Sequence, residues 1–190
     1  ARVSRQLHLD RPAVRAWMLY DWANSAMYVV IVTAIFPTFF SAVAAQGLPP
    51  VEATYRFSLA TTLGLTIIAV LSPILGAIAD HSAAKKRLLG AFLAFGASAV
   101  AAMFFIRHGQ WVFAALLFIL ANIGVNGSFV FYDSLLPHVA APDEMDRIST
   151  AGYALGYLGG GLFLVACLGI ILAPAAFGLP SGAGLTPTAA

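Results

Sequence analysis

Along this chain, apolar and polar positions fall into blocks rather than alternating. Five runs carry no charge: Trp22 to Ala45, Phe57 to Ala79, Leu88 to Ile106, Trp111 to Tyr132 and Ile148 to Ala173. The first holds 24 residues, against about 20 needed for a helix to cross a bilayer. The short alternating segments of a membrane β-barrel are absent. The pattern therefore predicts an all-α integral membrane protein with about five transmembrane helices in a single membrane domain over residues 1–190.

The connections between the runs are polar or turn-rich. Gln46 to Arg56, with Leu48-Pro49-Pro50, predicts a loop, and Arg107-His108-Gly109-Gln110 a tight turn. Leu135 to Arg147 contains Pro137, Pro142 and Asp143-Glu144-Met145-Asp146, and Pro174 to Ala190 is a loop of Pro, Gly, Ala and Thr. The second connection, Asp80-His81-Ser82-Ala83-Ala84-Lys85-Lys86-Arg87, places three adjacent cations at a membrane face. Lys and Arg are retained on the cytoplasmic side, which makes this turn cytoplasmic and sets the direction of every other run. Arg2, Arg5, Arg11, Arg15, Lys85, Lys86, Arg87 and Arg147 then lie inside, and Arg56 and Arg107 outside. An 8-to-2 division of all ten Lys and Arg supports a cytoplasmic amino terminus. A signal peptide cleaved near Ala42-Val43-Ala44 is a rival reading of the first run. That run is longer than a signal core of about 7–15 residues, and four more runs follow.

Composition agrees. Hydrophobic residues make up 61% of the chain and charged ones 9%, with mean hydropathy +0.88, where soluble domains run about 45–50% and about 25%. The net charge of +2 carries no clustered basic face of the kind nucleic acid requires. Cys167 stands alone, so an intramolecular disulfide and a cysteine metal site are both excluded. His8, His81, His108 and His138 lie outside the apolar runs or at their ends, as interfacial histidines do. No nucleophile–base pair, metal-ligand cluster, cofactor motif or phosphate loop occurs, so an enzyme is not expected. The chain starts at Ala1 and ends in an Ala/Pro/Gly-rich tail, and both ends read as cut from a longer protein. The Ala-rich composition points to a bacterial source and an inner-membrane location.

Polar side chains inside membrane helices require a reason. Trp17, Asp21, Asn24 and Tyr28 share one helical face by three- and four-residue spacing. They either line a substrate or proton path, or leave Asp21 at the interface, favoured by the helix N-terminus, with the tryptophans in an aromatic belt. Asn122 and Asn126, four residues apart in the fourth run, are substrate-facing or bond between helices. Asn126-Gly127-Ser128 reads as a glycosylation sequon but lies within a span. Asp80 and Asp133 end their helices at the inner face, where a carboxylate opposes the dipole and needs a cation or a function. Gly152, Gly156 and Gly160 form small-xxx-small pairs for close helix packing or for rocking.

Gly76-Ala77-Ile78-Ala79-Asp80 with Lys85 resembles the loop between the second and third helices of major facilitator superfamily transporters. His81, Ala83 and Ala84 depart from it. Tyr20-Asp21-Trp22-Ala23-Asn24-Ser25-Ala26, Phe131-Tyr132-Asp133-Ser134-Leu135-Leu136-Pro137 and Gly152 to Gly161 resemble the vacuole-effluxer branch, which includes the fungal autophagy-related amino-acid effluxers. The resemblance implies a partial N-terminal bundle, the first five of twelve helices, whose missing C-terminal half would complete the cavity. It implies a secondary transporter of a small solute working by alternating access, with amino acids suggested by the fungal members, and coupling to protons. On that reading Asp21 and Asp133 carry protons, Asn24, Tyr28, Asn122 and Asn126 face the solute, and Gly76, Asp80 and Lys85 belong to an inner gate. The alternative is a membrane scaffold or assembly protein that kept the helices and lost the cycle.

Overall fold

The computed structural model describes residues 11–81 and 83–178. The lead-in carrying Arg2, Arg5, His8 and Asp10, together with Ser82 and the tail from Leu179, lies outside the described residues. Five helices long and apolar enough to cross a membrane follow one another: α1 (Pro12–Ala44), α2 (Pro50–His81), α3 (Lys85–Ala102, extended by one 3₁₀ turn to Phe105), α4 (Trp111–Asp133) and α5 (Met145–Leu172). No strand occurs among the described residues. The protein is a multi-pass integral membrane protein.

The helices outrun the charge-free runs, because charged and polar residues at the ends continue the winding. α1 starts at Pro12, whose fixed φ suits a first helical position. α2 starts at Pro50, inside the segment predicted as a loop. Proline opens it, Glu52 sits in its first turn, and Arg56 donates from Nε to Glu52 Oε1 (3.1 Å) one turn on. At 32 residues and 1.5 Å per residue α2 is about 48 Å long, more than the ~30 Å hydrocarbon layer.

Prolines lie within two of the helices. Within α1, Met27–Ile35 and Phe40–Ala44 widen to five-residue turns; Phe36 N–H donates to Ile31 O, and Thr33 Oγ1 to Tyr28 O (3.0 Å). Pro37, just beyond the first stretch, has no N–H to return to Thr33 and its ring crowds that carbonyl, so a wider turn accommodates it. Wide turns of this sort recur at functional sites. In α2, Pro73 lies mid-helix, and the preceding Ser72 hydroxyl donates to Ile68 O (2.7 Å).

The chain divides into two compact units. The unit spanning Val43–Asp146 contains α2, α3 and α4, with α4 the most enclosed helix. Its core joins Ile68, Leu75 and Ala79 of α2 to Phe131 of α4, with Leu88, Leu89 and Phe92 of α3 against them. The Phe92 and Phe131 rings lie 5.7 Å apart, and those of Phe57 and Phe118 5.1 Å. Gly96 and Gly124 let the backbones of α3 and α4 touch: a Cβ on Gly96 would lie 3.2 Å from Val125 N, and one on Gly124 2.9 Å from Phe92 O. Such contact replaces the hydrophobic drive that is missing between helices in lipid. At the other end Arg56 lies 3.9 Å over the Trp111 ring while it binds Glu52, joining α2 to α4. Arg56→Ala is expected to lower stability by about 1 kcal/mol, read as a lower denaturation midpoint in detergent. An unchanged midpoint would remove this contact from the account of the unit.

The other unit contains Arg11, residues 12–42 of α1 and, from Arg147 on, α5. Outward side chains such as Leu158, Leu162 and Leu172 are apolar and exposed, as suits a hydrocarbon solvent.

Candidate functional site

The seam between α1 and α5 holds Trp17 and Asp21 of the polar face predicted in the first helix. Gly152, Gly156 and Gly160, one turn apart on α5, are all buried. Each is matched by a residue one turn further along α1. A Cβ at position 152 would lie 2.6 Å from Trp17 Cζ3, and at 160, 2.7 Å from Val29 Cγ2 and 3.1 Å from Ser25 O. At 156 it would meet Ser25 Oγ at 2.6 Å and Asp21 Oδ2 at 2.8 Å. The space a side chain would take at position 156 is thus filled by a carboxylate and a hydroxyl of α1. Gly159 similarly receives the Trp22 indole. Gly152, Gly156 and Gly160 bring α5 close against α1, and Gly156 also makes room for an acid.

Asp21 is only 2% exposed and Asn24 5%. Asn24 Nδ2 is buried and has no acceptor among the described residues. Tyr28, on the same predicted face, is half-buried and enters the widened Met27–Ile35 stretch, where the α-helical spacing no longer applies. An ionisable group sunk in a membrane bundle is costly and marks an ion, proton or substrate path more often than plain packing. Ser25 was not among the predicted site residues; its position one turn after Asp21 is the signal that would have found it.

In the three-helix unit, Asn122 is buried and Asn126 half-buried on α4. Their amide groups turn back along their own helix, Asn122 Nδ2 donating to Phe118 O (2.9 Å) and Asn126 Nδ2 to Asn122 O (2.8 Å). Each NH₂ group thus spends one of its two donors on its own helix. Asp133 is exposed at the end of α4, and Asp80 is exposed near the end of α2. Asp80 makes no ion pair with Lys85: the Lys85 ammonium donates to Ser134 O (3.4 Å), tying the start of α3 to the end of α4. No described atom outside its own helix backbone lies within 4 Å of where a Gly76 Cβ would stand. No group of three or more potential metal ligands occurs among the described residues.

A family model described as "Vacuole effluxer Atg22 like" matches residues 52–181. The chain is 36% identical over 166 residues to an "Uncharacterized MFS-type transporter YxiO" of Bacillus subtilis, covering 87% of this chain and 39% of that protein. It is 33% identical over 106 residues to "Autophagy-related protein 22" of Neurospora crassa (54% of this chain, 14% of that one), and 34% over 91 residues to the protein of that name in Coccidioides immitis (48% and 14%). The chain thus spans well under half the length of these relatives. No solved structure matches it.

Proposed function

Because the chain belongs to the vacuole effluxer Atg22-like family, we propose that it supplies the first five helices of a secondary active transporter, which moves a small solute by alternating access and draws on a proton gradient. The observation that carries this reading is the Asp21 carboxylate, buried in the notch that Gly156 leaves between α1 and α5. A glycine-lined seam permits small shifts between two helices, and a carboxylate within it feels each shift as a change of surroundings. That is the coupling a proton-driven cycle needs.

Around it the other residues take parts. Asp133 is the second proton carrier, at the exposed end of α4. Asn24, Tyr28, Asn122 and Asn126 are the solute-facing groups, near the depth where transporters bind. Asn122 and Asn126 carry amides that both donate and accept, which suits a solute with both kinds of group, such as an amino acid. Gly76, Asp80 and Lys85 stand at the inner gate, where Asp80 would meet a partner in the second half of the protein. The amino terminus faces the cytoplasm, and the membrane is a bacterial inner membrane.

Counterflow of a radiolabelled amino-acid mixture in proteoliposomes, with the full-length protein at two imposed pH gradients, tests this. Uptake that follows the gradient is the expected result. Absence of uptake from folded, correctly oriented protein would discard amino acids as solutes and favour a scaffold that no longer transports.

A further inference from the structure

Where α3 begins, the chain builds a concavity of about 740 Å³ lined by Ala83, Ala84, Lys85, Lys86, Arg87, Leu135 and His138. No carboxylate lines it among the described residues. None of its three cations forms an ion pair with a described residue. Lys85 is held in place by Ser134 O, whereas Lys86, Arg87 and His138 are exposed. The helix itself adds to this positive character. Residue 84, at the N-cap of the 18-residue α3, is an alanine and makes no side-chain cap. The backbone ladder there begins with Arg87 N and Leu88 N on Ala84 O, which leaves the amides of Lys85 and Lys86 as donors at the positive end of the dipole.

Three cations, one of them tethered, with uncapped amides and an imidazole around one open hollow form a receptor for a phosphate group. The hollow lies at the ends of membrane-length helices with Leu135 in its wall, at the level where lipid headgroups sit rather than in bulk water. We propose that it binds the phosphate of an anionic phospholipid headgroup, so that this corner of the transporter reads the charge of the surrounding leaflet.

Native mass spectrometry of the full-length protein, titrated with phosphatidylglycerol or with phosphatidylcholine, tests the proposal. Phosphatidylglycerol should bind in preference. Combined Lys86→Gln and Arg87→Gln should weaken it roughly fivefold or more and leave phosphatidylcholine unaffected. Leu135→Trp, which keeps every cation and fills the hollow, should weaken it comparably, with both variants checked for folding by size-exclusion chromatography. Equal binding of the two lipids would overturn the proposal. So would loss with the charge variant alone, since that would mean diffuse attraction to a basic loop. Inorganic phosphate that displaces the lipid completely and binds equally well without it would assign the hollow to a soluble phosphate and overturn the lipid source.

Discussion

Replacing Gly124 with alanine should destabilise the α2–α3–α4 unit more than any other single methyl group added to the chain. The new Cβ would meet the Cα and N of Gly96 and, at 2.9 Å, the carbonyl of Phe92. All three are backbone atoms in a regular helix and have no rotamer through which to yield. α3 would have to move away from α4, pulling Phe92 from Phe131 and loosening the core beneath. Overpacking of this kind costs about 3 kcal/mol at its upper range, enough to lower the yield of folded protein in detergent. Gly90→Ala on the facing helix, α3, is the control. No described atom lies within 4 Å of its added Cβ, and alanine is the better helix former by about 0.5–1 kcal/mol. A Gly124→Ala protein that melts with the wild type would mean that α3 and α4 do not touch here.

Asp21→Asn should abolish gradient-driven flux while the protein still folds. Asparagine has nearly the shape of aspartate, so the notch at Gly156 stays filled, but an amide takes up and releases no proton. Flux is expected to fall about a hundredfold, the lower range for a positioned proton-transfer group, with exchange between equal solute concentrations less affected. Gly156→Ala differs in kind: its methyl group enters the space held by Ser25 Oγ and Asp21 Oδ2, so stability and flux should fall together. Normal flux through a well-expressed Asp21→Asn protein would reduce Asp21 to a packing residue.

Much of this fold is written in the spacing of apolar residues, because a bilayer demands long uncharged helices and little else. The five spans and the glycine face of α5 are local properties, and local properties can be read from one sequence. What depends on a partner elsewhere in the chain is not readable in that way. Gly96 and Gly124 are single glycines in separate runs, and only their meeting gives them meaning. Asp80 and Lys85, opposite in sign and close in sequence, suggest a pair; the lysine instead reaches Ser134, across the unit on the chain following α4. The widening of α1 has its cause downstream: Met27–Ile35 is an ordinary stretch of mostly apolar residues, and Pro37 sets the turns before it. Asn122 and Asn126 share a face as their spacing requires, but the direction of their amides is a rotamer choice that spacing leaves open.

The division of the chain also has a consequence for how the protein is made. α1 and α5 belong to one unit, yet the whole of Val43–Asp146 is synthesised between them. At about 5–20 residues per second, α1 waits roughly 5–20 s for its partner. Throughout that interval the Gly156 notch does not yet exist, and the Asp21 carboxylate waits in an inserted helix without its seam. An acid costs about 3 kcal/mol at the centre of an isolated helix on insertion scales and less toward its end, where Asp21 stands one residue before the charge-free run. The nascent helix therefore has reason to stay beside the translocon, or shallow in the membrane, until α5 emerges. Arrest of the ribosome just before Arg147 should leave α1 more extractable from the membrane than in the finished chain, and Asp21→Leu should remove that difference.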